Sequence, residues 1–263
     1  MLLAMDIGNT QTVIGMFGPT DGGSGSSELL QHWRISTDAE RTADEMALLL
    51  AQLLDLQGFE IDRTVTGIAV ASVVPRLRAA LREMTEKWFR VTTVIVEPGI
   101  RTGMPILYDN PKEVGADRIV NTLAAHHLFG GPTIVVDFGT ATTFEAVSAR
   151  GEYLGGAIIP GIEISLDALF GRAAALTRVE LVEPRNVIGK NTVESIQAGT
   201  VFGFAAQVDG LCRRFEAELG PCTVVATGGL AGLIAPLTDS IDHHEPWLTL
   251  HGLRIIYDRN TEL

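Results

Sequence analysis

Short apolar runs alternate with glycine-rich turns and with longer stretches of helical period along this chain. Leu2–Met5 and Val13–Phe17 are apolar and read as two strands joined by the turn DIGNTQT at 6–12. The segment Gly18–Ser27 is rich in glycine and serine and reads as the tip of a long hairpin. Thr42 and Glu45 have the spacing of a capping box. Met46, Leu49, Leu50, Leu53 and Leu54 then recur with the period of an amphipathic helix. Ile68–Val74 predicts a buried strand, with Pro75 in the first turn of the next helix. A further strand is expected at Val91–Val96, and a helix over Ala116–Leu128 closed by Gly130 and Gly131.

The pattern then restarts. Thr133–Val136 and Phe144–Val147 predict strands joined by the turn Asp137–Thr143, and Arg150–Gly151 turns the chain into a strand over Tyr153–Ile159. Phe204, Val208, Leu211, Phe215 and Leu219 mark a helix, and Cys222–Ala226 a strand running into TGGLAG. Strands and helices in mixed order predict an α/β architecture. The restart has a sequence signature, since MDIGNTQT at 5–12 lines up with VDFGTATT at 136–143. Each copy follows an apolar strand and sets Asp, an apolar residue and Gly in series, then small hydroxyl residues. That repetition points to duplicated lobes.

Composition narrows the classes. A chain of 263 residues with 46% hydrophobic content builds a core without staples. A net charge of -12 repels phosphate backbones and anionic lipid, which argues against nucleic-acid and membrane partners. Cys212 and Cys222 are the only cysteines and form no CxxC pair, so a cytoplasmic protein with reduced thiols is expected. Asp6 interrupts the first apolar stretch before it could serve as a signal-peptide core, and no run reaches the roughly 20 apolar residues of a membrane span.

The two turns carry the candidate chemistry. Gly8 lets the backbone bend sharply, exposed N–H groups in such a turn cradle phosphate oxygens, and Asn9, Thr10 and Thr12 add side-chain donors. Asp6, at the strand end, suits a hydrated Mg²⁺. A plain β-turn is the competing reading for one copy; the second copy at Asp137 favours phosphate binding. Asp137-Phe138-Gly139 spells DFG, but no HRD loop accompanies it, and Gly189–Lys190 lacks the spacing of a Walker A loop. Lys87, Lys112 and Lys190 are the only lysines, and none lies in either turn. Charge on a transferred phosphoryl group therefore falls to metal ions, backbone dipoles and arginine. Gly115-Ala116-Asp117-Arg118 sits where a loop enters a helix. Asp117 there reads first as an acidic first-turn residue, and otherwise as a base for a substrate alcohol, with Arg118 able to fork onto a carboxylate. The pairs His126–His127 and His243–His244 have no metal-ligand spacing and read as structural, and Trp247 as packing.

Taken together, DIGNT at 6–10, GADR at 115–118, DFGTATT at 137–143, GGAIIPG at 155–161, TGG at 227–229 and EPWLTLHGLRIIYDRN at 245–260 resemble the type III pantothenate kinases nearly end to end. The resemblance implies two ribonuclease-H-like lobes of the actin, Hsp70 and sugar kinase superfamily, cut here as residues 1–118 and 119–263, with a nucleotide cleft between them. It implies ATP-dependent phosphorylation of pantothenate. Its ATP-binding residues fall on Asp6, Ile7, Gly8, Asn9, Thr10, Gln11, Thr12, Val13 and Thr140, and its general base on Asp117. Its pantothenate site falls on Tyr108, Gly115, Ala116, Asp117, Arg118 and Thr192, and its K⁺ or NH₄⁺ ligand on Asp137. It also implies Mg²⁺ with the nucleotide, and a homodimer in which Thr192 reaches the neighbouring subunit's substrate. One departure stands out. Some members carry a basic residue just after the first turn, where Gln11, Thr12 and Val13 stand here, and this implies weaker ATP binding. A same-fold kinase of another small alcohol or sugar, or a nucleotide-binding transcriptional regulator without catalysis, are the alternative readings.

Overall fold

A computed structural model describes residues 1–19, 28–173 and 176–261. In chain order, β1 is Leu2–Ile7, β2 Gln11–Phe17, β3 Leu29–Ser36, α1 Ala43–Asp55, α2 Ile61–Thr64, β4 Gly67–Ser72, α3 Leu77–Met84, β5 Thr92–Ile95 and α4 Ala116–Phe129. The second half runs β6 Thr133–Phe138, β7 Ala141–Val147, β8 Tyr153–Pro160, α5 Ile162–Arg172, α6 Thr192–Leu219, β9 Thr223–Thr227, α7 Ala231–Ile234, β10 His243–His244 and α8 Leu248–Thr261. The hairpin tip expected at Gly18–Ser27 lies outside the described residues from position 20 onward. At its base the Gly18 N–H donates to the Glu28 carbonyl (3.0 Å).

Two compact units result. The first comprises Met1–Gly103, Lys112–Ala124 and Thr249–Leu263; the second comprises Met104–Pro111 and Ala125–Leu248. The expected single cut after Arg118 is thus replaced by a division that the chain crosses several times, and the reasons are local. The C-terminal helix α8 belongs to the first unit because Gly252 lets it lie against α4, where a Cβ would come within 2.2 Å of the Val120 carbonyl oxygen. Thr249 also donates to Asn121 (2.7 Å), and Asn260 donates through Nδ2 to the Arg101 carbonyl (2.9 Å). Met104–Pro111 joins the second unit because it is sewn to β8. The Leu107 N–H donates to the Tyr153 carbonyl (2.8 Å) and the Tyr153 N–H to the Pro105 carbonyl (2.9 Å).

Each unit holds a five-stranded sheet of one design, in the order β3-β2-β1-β4-β5 in the first and β8-β7-β6-β9-β10 in the second. In both, three strands form an antiparallel meander and two more add in parallel. The repeat in sequence is therefore a repeat in topology. Leu3, Met5, Ile14 and Met16 of the first sheet pack with Met46, Leu50 and Leu54 of α1 and Leu77 and Leu81 of α3. In the second unit Ile134, Val136, Phe138 and Phe144 pack with Ile162 and Leu166 of α5 and Val201, Phe204 and Val208 of α6. Each such large side chain contributes about 1.5–3 kcal/mol on burial, so each unit holds its own turn on its own core.

The capping box at α1 forms in full, with Thr42 accepting from Glu45 N–H and Glu45 accepting from Thr42 N–H. Pro75 stands ahead of α3 rather than in its first turn, because Arg76 is the cap residue. The repeat is also out of phase beyond the glycines. Ile7 pairs with Thr12 around a Gly8-Asn9-Thr10-Gln11 turn, whereas Phe138 pairs with Thr142 around the shorter Gly139-Thr140-Ala141 turn. The buried counterpart of Thr12 is therefore Thr142 rather than Thr143.

Candidate active site

The first turn is open outward and tied down beneath. The Gly8 N–H donates to the Gln11 carbonyl (3.0 Å), and Asn9, Thr10 and Gln11 are exposed. Below them, Thr12 is buried and its hydroxyl shares a 2.8 Å hydrogen bond with that of Thr37. The Thr37 N–H in turn donates to the Thr10 carbonyl (2.9 Å). A turn anchored this way presents its outward groups in one fixed geometry, which is what a polyanion cradle requires. Asp6 and Val13 flank the turn as a cross-strand pair.

The second turn brings three sequence motifs together. The Gly139 N–H donates to the Ala141 carbonyl (3.1 Å), and the Gly161 N–H, at the end of GGAIIPG, donates to the Thr140 carbonyl (3.1 Å). Gly161 lies so close that a Cβ there would come within 2.2 Å of the Thr140 carbonyl oxygen. Gly228, in TGG, adopts φ +95, and a Cβ on it would sit 2.5 Å from Asp137 Oδ1 and 2.6 Å from Phe138 N. Only glycine fits a left-handed position with a carboxylate and a backbone against its Cα. The Asp137 carboxylate is thereby held at the strand end beside a turn of backbone amides.

At the head of α4, the Arg118 N–H donates to Asp117 Oδ1 (2.8 Å). A Cβ at position 115 would come within 2.5 Å of that same oxygen, so Gly115 makes room for the carboxylate. Burial pushes the Asp117 carboxyl above its ordinary value, and the Arg118 N–H and guanidinium oppose the shift without cancelling it. A carboxylate poorly solvated and only partly compensated is a stronger base than a surface one.

Tyr108 and Thr192 occupy different places in the second unit. Tyr108 is half-buried, with its ring 6.1 Å from that of Tyr153. Thr192 is the first residue of α6, behind the cap residue Asn191, whose side chain accepts from Glu194 N–H (2.9 Å). It is exposed on an open groove of about 760 Å³ lined also by Leu169, Lys190, Asn191 and Phe204, and Tyr108 is not among the described residues that line it.

Asp6, Asp137 and threonine hydroxyls are hard oxygen donors, the kind that Mg²⁺ and K⁺ prefer. Among the described residues no group of three or more His, Cys, Asp or Glu side chains could hold a metal ion alone. A divalent ion here would draw most of its ligands from nucleotide phosphates and water, in keeping with the usual behaviour of Mg²⁺. Also among the described residues, no helix is long and apolar enough to cross a membrane. Reading the sequence overlooked Thr37, which anchors the first turn. It also overlooked Glu145, whose signal was a lone carboxylate within the apolar run Phe144–Val147.

Two units of one strand order, each with an Asp-x-Gly turn between its first two strands, make up the duplicated fold of the actin, Hsp70 and sugar kinase superfamily. Solved structures agree. A conserved Campylobacter jejuni protein assigned to the Baf family of transcriptional activators superposes with TM-score 0.61 at 20% identity, covering 99% of this chain and 100% of its own. A 2-dehydro-3-deoxygalactonokinase protein from Sinorhizobium meliloti gives 0.59 at 14%, covering 100% and 98%. The family model for type III pantothenate kinase matches residues 2–214. A type III pantothenate kinase of Streptomyces avermitilis is 58% identical over 99% of this chain and 98% of its own length. The chain belongs to the type III pantothenate kinase family. As a kinase it acts with ATP on a small acceptor, and ATP chemistry brings a divalent metal ion with it.

Proposed function

We propose that Asp117 is the general base in the transfer of the γ-phosphoryl group of ATP to the primary alcohol of pantothenate, giving ADP and 4′-phosphopantothenate. That reaction is the entry step to coenzyme A. The observation that carries the assignment is the Asp117 carboxylate itself, half-buried, raised in basicity and fixed by the Arg118 N–H at the head of α4. The alcohol proton passes to Asp117, the alcohol oxygen bonds to the γ-phosphorus, and the bond from that phosphorus to the bridging oxygen of ADP breaks. The anchored turn Asp6, Ile7, Gly8, Asn9, Thr10, Gln11, Thr12 and Val13 receives the phosphates, with Thr140 also binding the nucleotide. Arg118 and Tyr108 orient the carboxylate end of pantothenate, alongside Gly115 and Ala116. When bound, Mg²⁺ near Asp6 (through water) and K⁺ or NH₄⁺ at Asp137 supply charge neutralisation that a chain with three lysines does not.

The same reading makes the protein a cytoplasmic homodimer in which Thr192 of the partner subunit completes each pantothenate pocket. Supporting it, Tyr108, also in the second unit, is not among the described residues that line the groove at Thr192. On α6, Val201 is buried while Val193 is 46% exposed, and among the described residues nothing lies within 4 Å of a Cβ added at Gly199 or Gly203. One face of α6 is thus packed and another is left open.

An acceptor screen tests the assignment. ADP release is measured with pantothenate, with a panel of sugars, and with no acceptor. Release that requires pantothenate is the expected result. Release driven by a sugar would make this a kinase of another alcohol, and ATP binding without turnover on any acceptor would make it a regulator.

A further inference from the structure

Glu145 is a carboxylate on β7 with only 1% of its surface exposed, and the phosphoryl transfer described above gives it no role. A buried carboxylate is expensive unless it is held by hydrogen bonds, so its surroundings are informative. The hydroxyl of Tyr153, itself fully buried, donates to Glu145 Oε2 at 2.7 Å. Leaving either buried partner without its hydrogen bond is costly, so this bond holds the Tyr153 ring in place.

Tyr153 is also where the segment bearing Tyr108 is attached. Its backbone N–H and C=O hold Pro105 and Leu107, and Ile106 bridges it in parallel. The Tyr108 ring rests beside Tyr153 at 55°. It also lies over Gly155, where a Cβ would sit 3.5 Å from Tyr108 Cε2, and where φ is +128. The next residue, Gly156, pairs with Glu145 across the strands, and a Cβ there would come within 2.7 Å of Glu145 Oε2. The two glycines of GGAIIPG therefore have separate uses: Gly155 is a floor for Tyr108, and Gly156 leaves room for the Glu145 carboxylate.

From this juxtaposition we infer that Glu145 and Tyr153 are positioning residues for pantothenate, acting through Tyr108. The inference rests on the assignment of Tyr108 to the pantothenate site. Glu145 fixes the Tyr153 hydroxyl, Tyr153 fixes both the backbone and the ring of the 105–108 segment, and Tyr108 meets the substrate. Both residues lie in the second unit and act through Tyr108, so their effect is expected on the acceptor rather than on ATP.

Steady-state kinetics on Tyr153→Phe, Glu145→Gln, Glu145→Ala and Tyr108→Ala, with thermal unfolding of each, test this. Tyr153→Phe keeps the ring and loses only the hydroxyl. It is expected to raise the pantothenate KM about tenfold, a partial misplacement, with the ATP KM unchanged. Glu145→Gln keeps an oxygen that accepts from Tyr153, so its effect on pantothenate KM should be smaller than that of Glu145→Ala. Should Glu145→Ala fail to fold, Tyr153→Phe and Glu145→Gln still decide the matter. A Tyr153→Phe variant with wild-type pantothenate KM, alongside a Tyr108→Ala variant with a raised one, would overturn the positioning role and leave Tyr108 in the site. Wild-type pantothenate KM in Tyr108→Ala would overturn both. Equal rises in the KM for pantothenate and ATP would show a general structural role and overturn the inference as well.

Discussion

Replacing Asp117 by Asn tests the base and its environment together. The amide has the size of the carboxylate and still offers an oxygen to the Arg118 N–H, but it does not accept a proton. Losing a general base slows turnover by roughly 10²–10⁴-fold, or about 2.7–5.5 kcal/mol at 1.36 kcal/mol per decade. Stability moves the other way. Burial raises the folded-state pKa of Asp117 above its unfolded value, so the folded protein holds this proton more tightly than the unfolded chain. Stability is then lost as pH rises from the ordinary carboxylate range through the folded pKa. An uncharged Asn escapes that loss. The variant should melt above the wild type at neutral pH, and the gain should vanish as pH falls below the unfolded carboxylate value, near 4, where the wild-type carboxyl is protonated in both states. Turnover with saturating pantothenate, the KM for ATP, and thermal unfolding across the acidic and neutral range are the measurements. Near-normal turnover with no gain in melting temperature would show that Asp117 is only a helix-start carboxylate.

Activity should require K⁺ or NH₄⁺ in addition to Mg²⁺, and Asp137→Ala should abolish the monovalent effect; full activity in a Na⁺-only buffer would contradict this. Gly228→Ala places a methyl against Asp137 Oδ1 and the Phe138 backbone at a left-handed φ, so it should lower the melting temperature by several degrees and reduce activity, as unfolding scans and ADP release would show. Asp117→Asn and Thr192→Arg chains, each nearly inactive alone, should regain partial activity after subunit exchange, because one pocket of the mixed dimer is free of both lesions. A fully active monomer in sedimentation, or no recovery after confirmed exchange, would refute a shared pocket.

The duplicated strand-turn-strand was legible because its signals are local. An apolar strand followed by Asp-x-Gly reads the same wherever it stands, and both copies fold as read, with β1 and β2 around Gly8 and β6 and β7 around Gly139. Six elements escaped the reading: the short α2, α7 and β10, which span too few residues to show a period, and three longer ones. Strand β3 lies at a sheet edge and alternates between half-buried and exposed positions, so Gln31 and His32 interrupt any apolar run. Helices α5 and α8 carry polar residues and glycines among their apolar ones, and their stripes are set by partners distant in sequence. The return of α8 to the first unit is a contact between Gly252 and Val120, and no local periodicity encodes it. The candidate base shows the same division. GADR marks the place of Asp117, but its raised basicity comes from burial that only the fold supplies.

Duplication explains the architecture, and the two turns differ in ways that bear on the separate tasks proposed for them. In the first unit the longer turn leaves Asn9, Thr10 and Gln11 exposed above the Thr12–Thr37 hydrogen bond, so its donors face outward on a rigid base. In the second unit the turn is one residue shorter, and Gly161 and Gly228 bring backbone against the Thr140 carbonyl and the Asp137 carboxylate. Under the proposed assignment, the longer turn receives the nucleotide phosphates and the Asp137 carboxylate holds a small cation. Such a division answers the difficulty posed by the composition. A chain with a net charge of -12 and no lysine in either turn has little side-chain charge to set against a triphosphate. Under the proposed assignment, backbone dipoles of the first turn and a cation at Asp137 would supply that charge without a lysine, each from its own copy of the same strand-turn-strand unit.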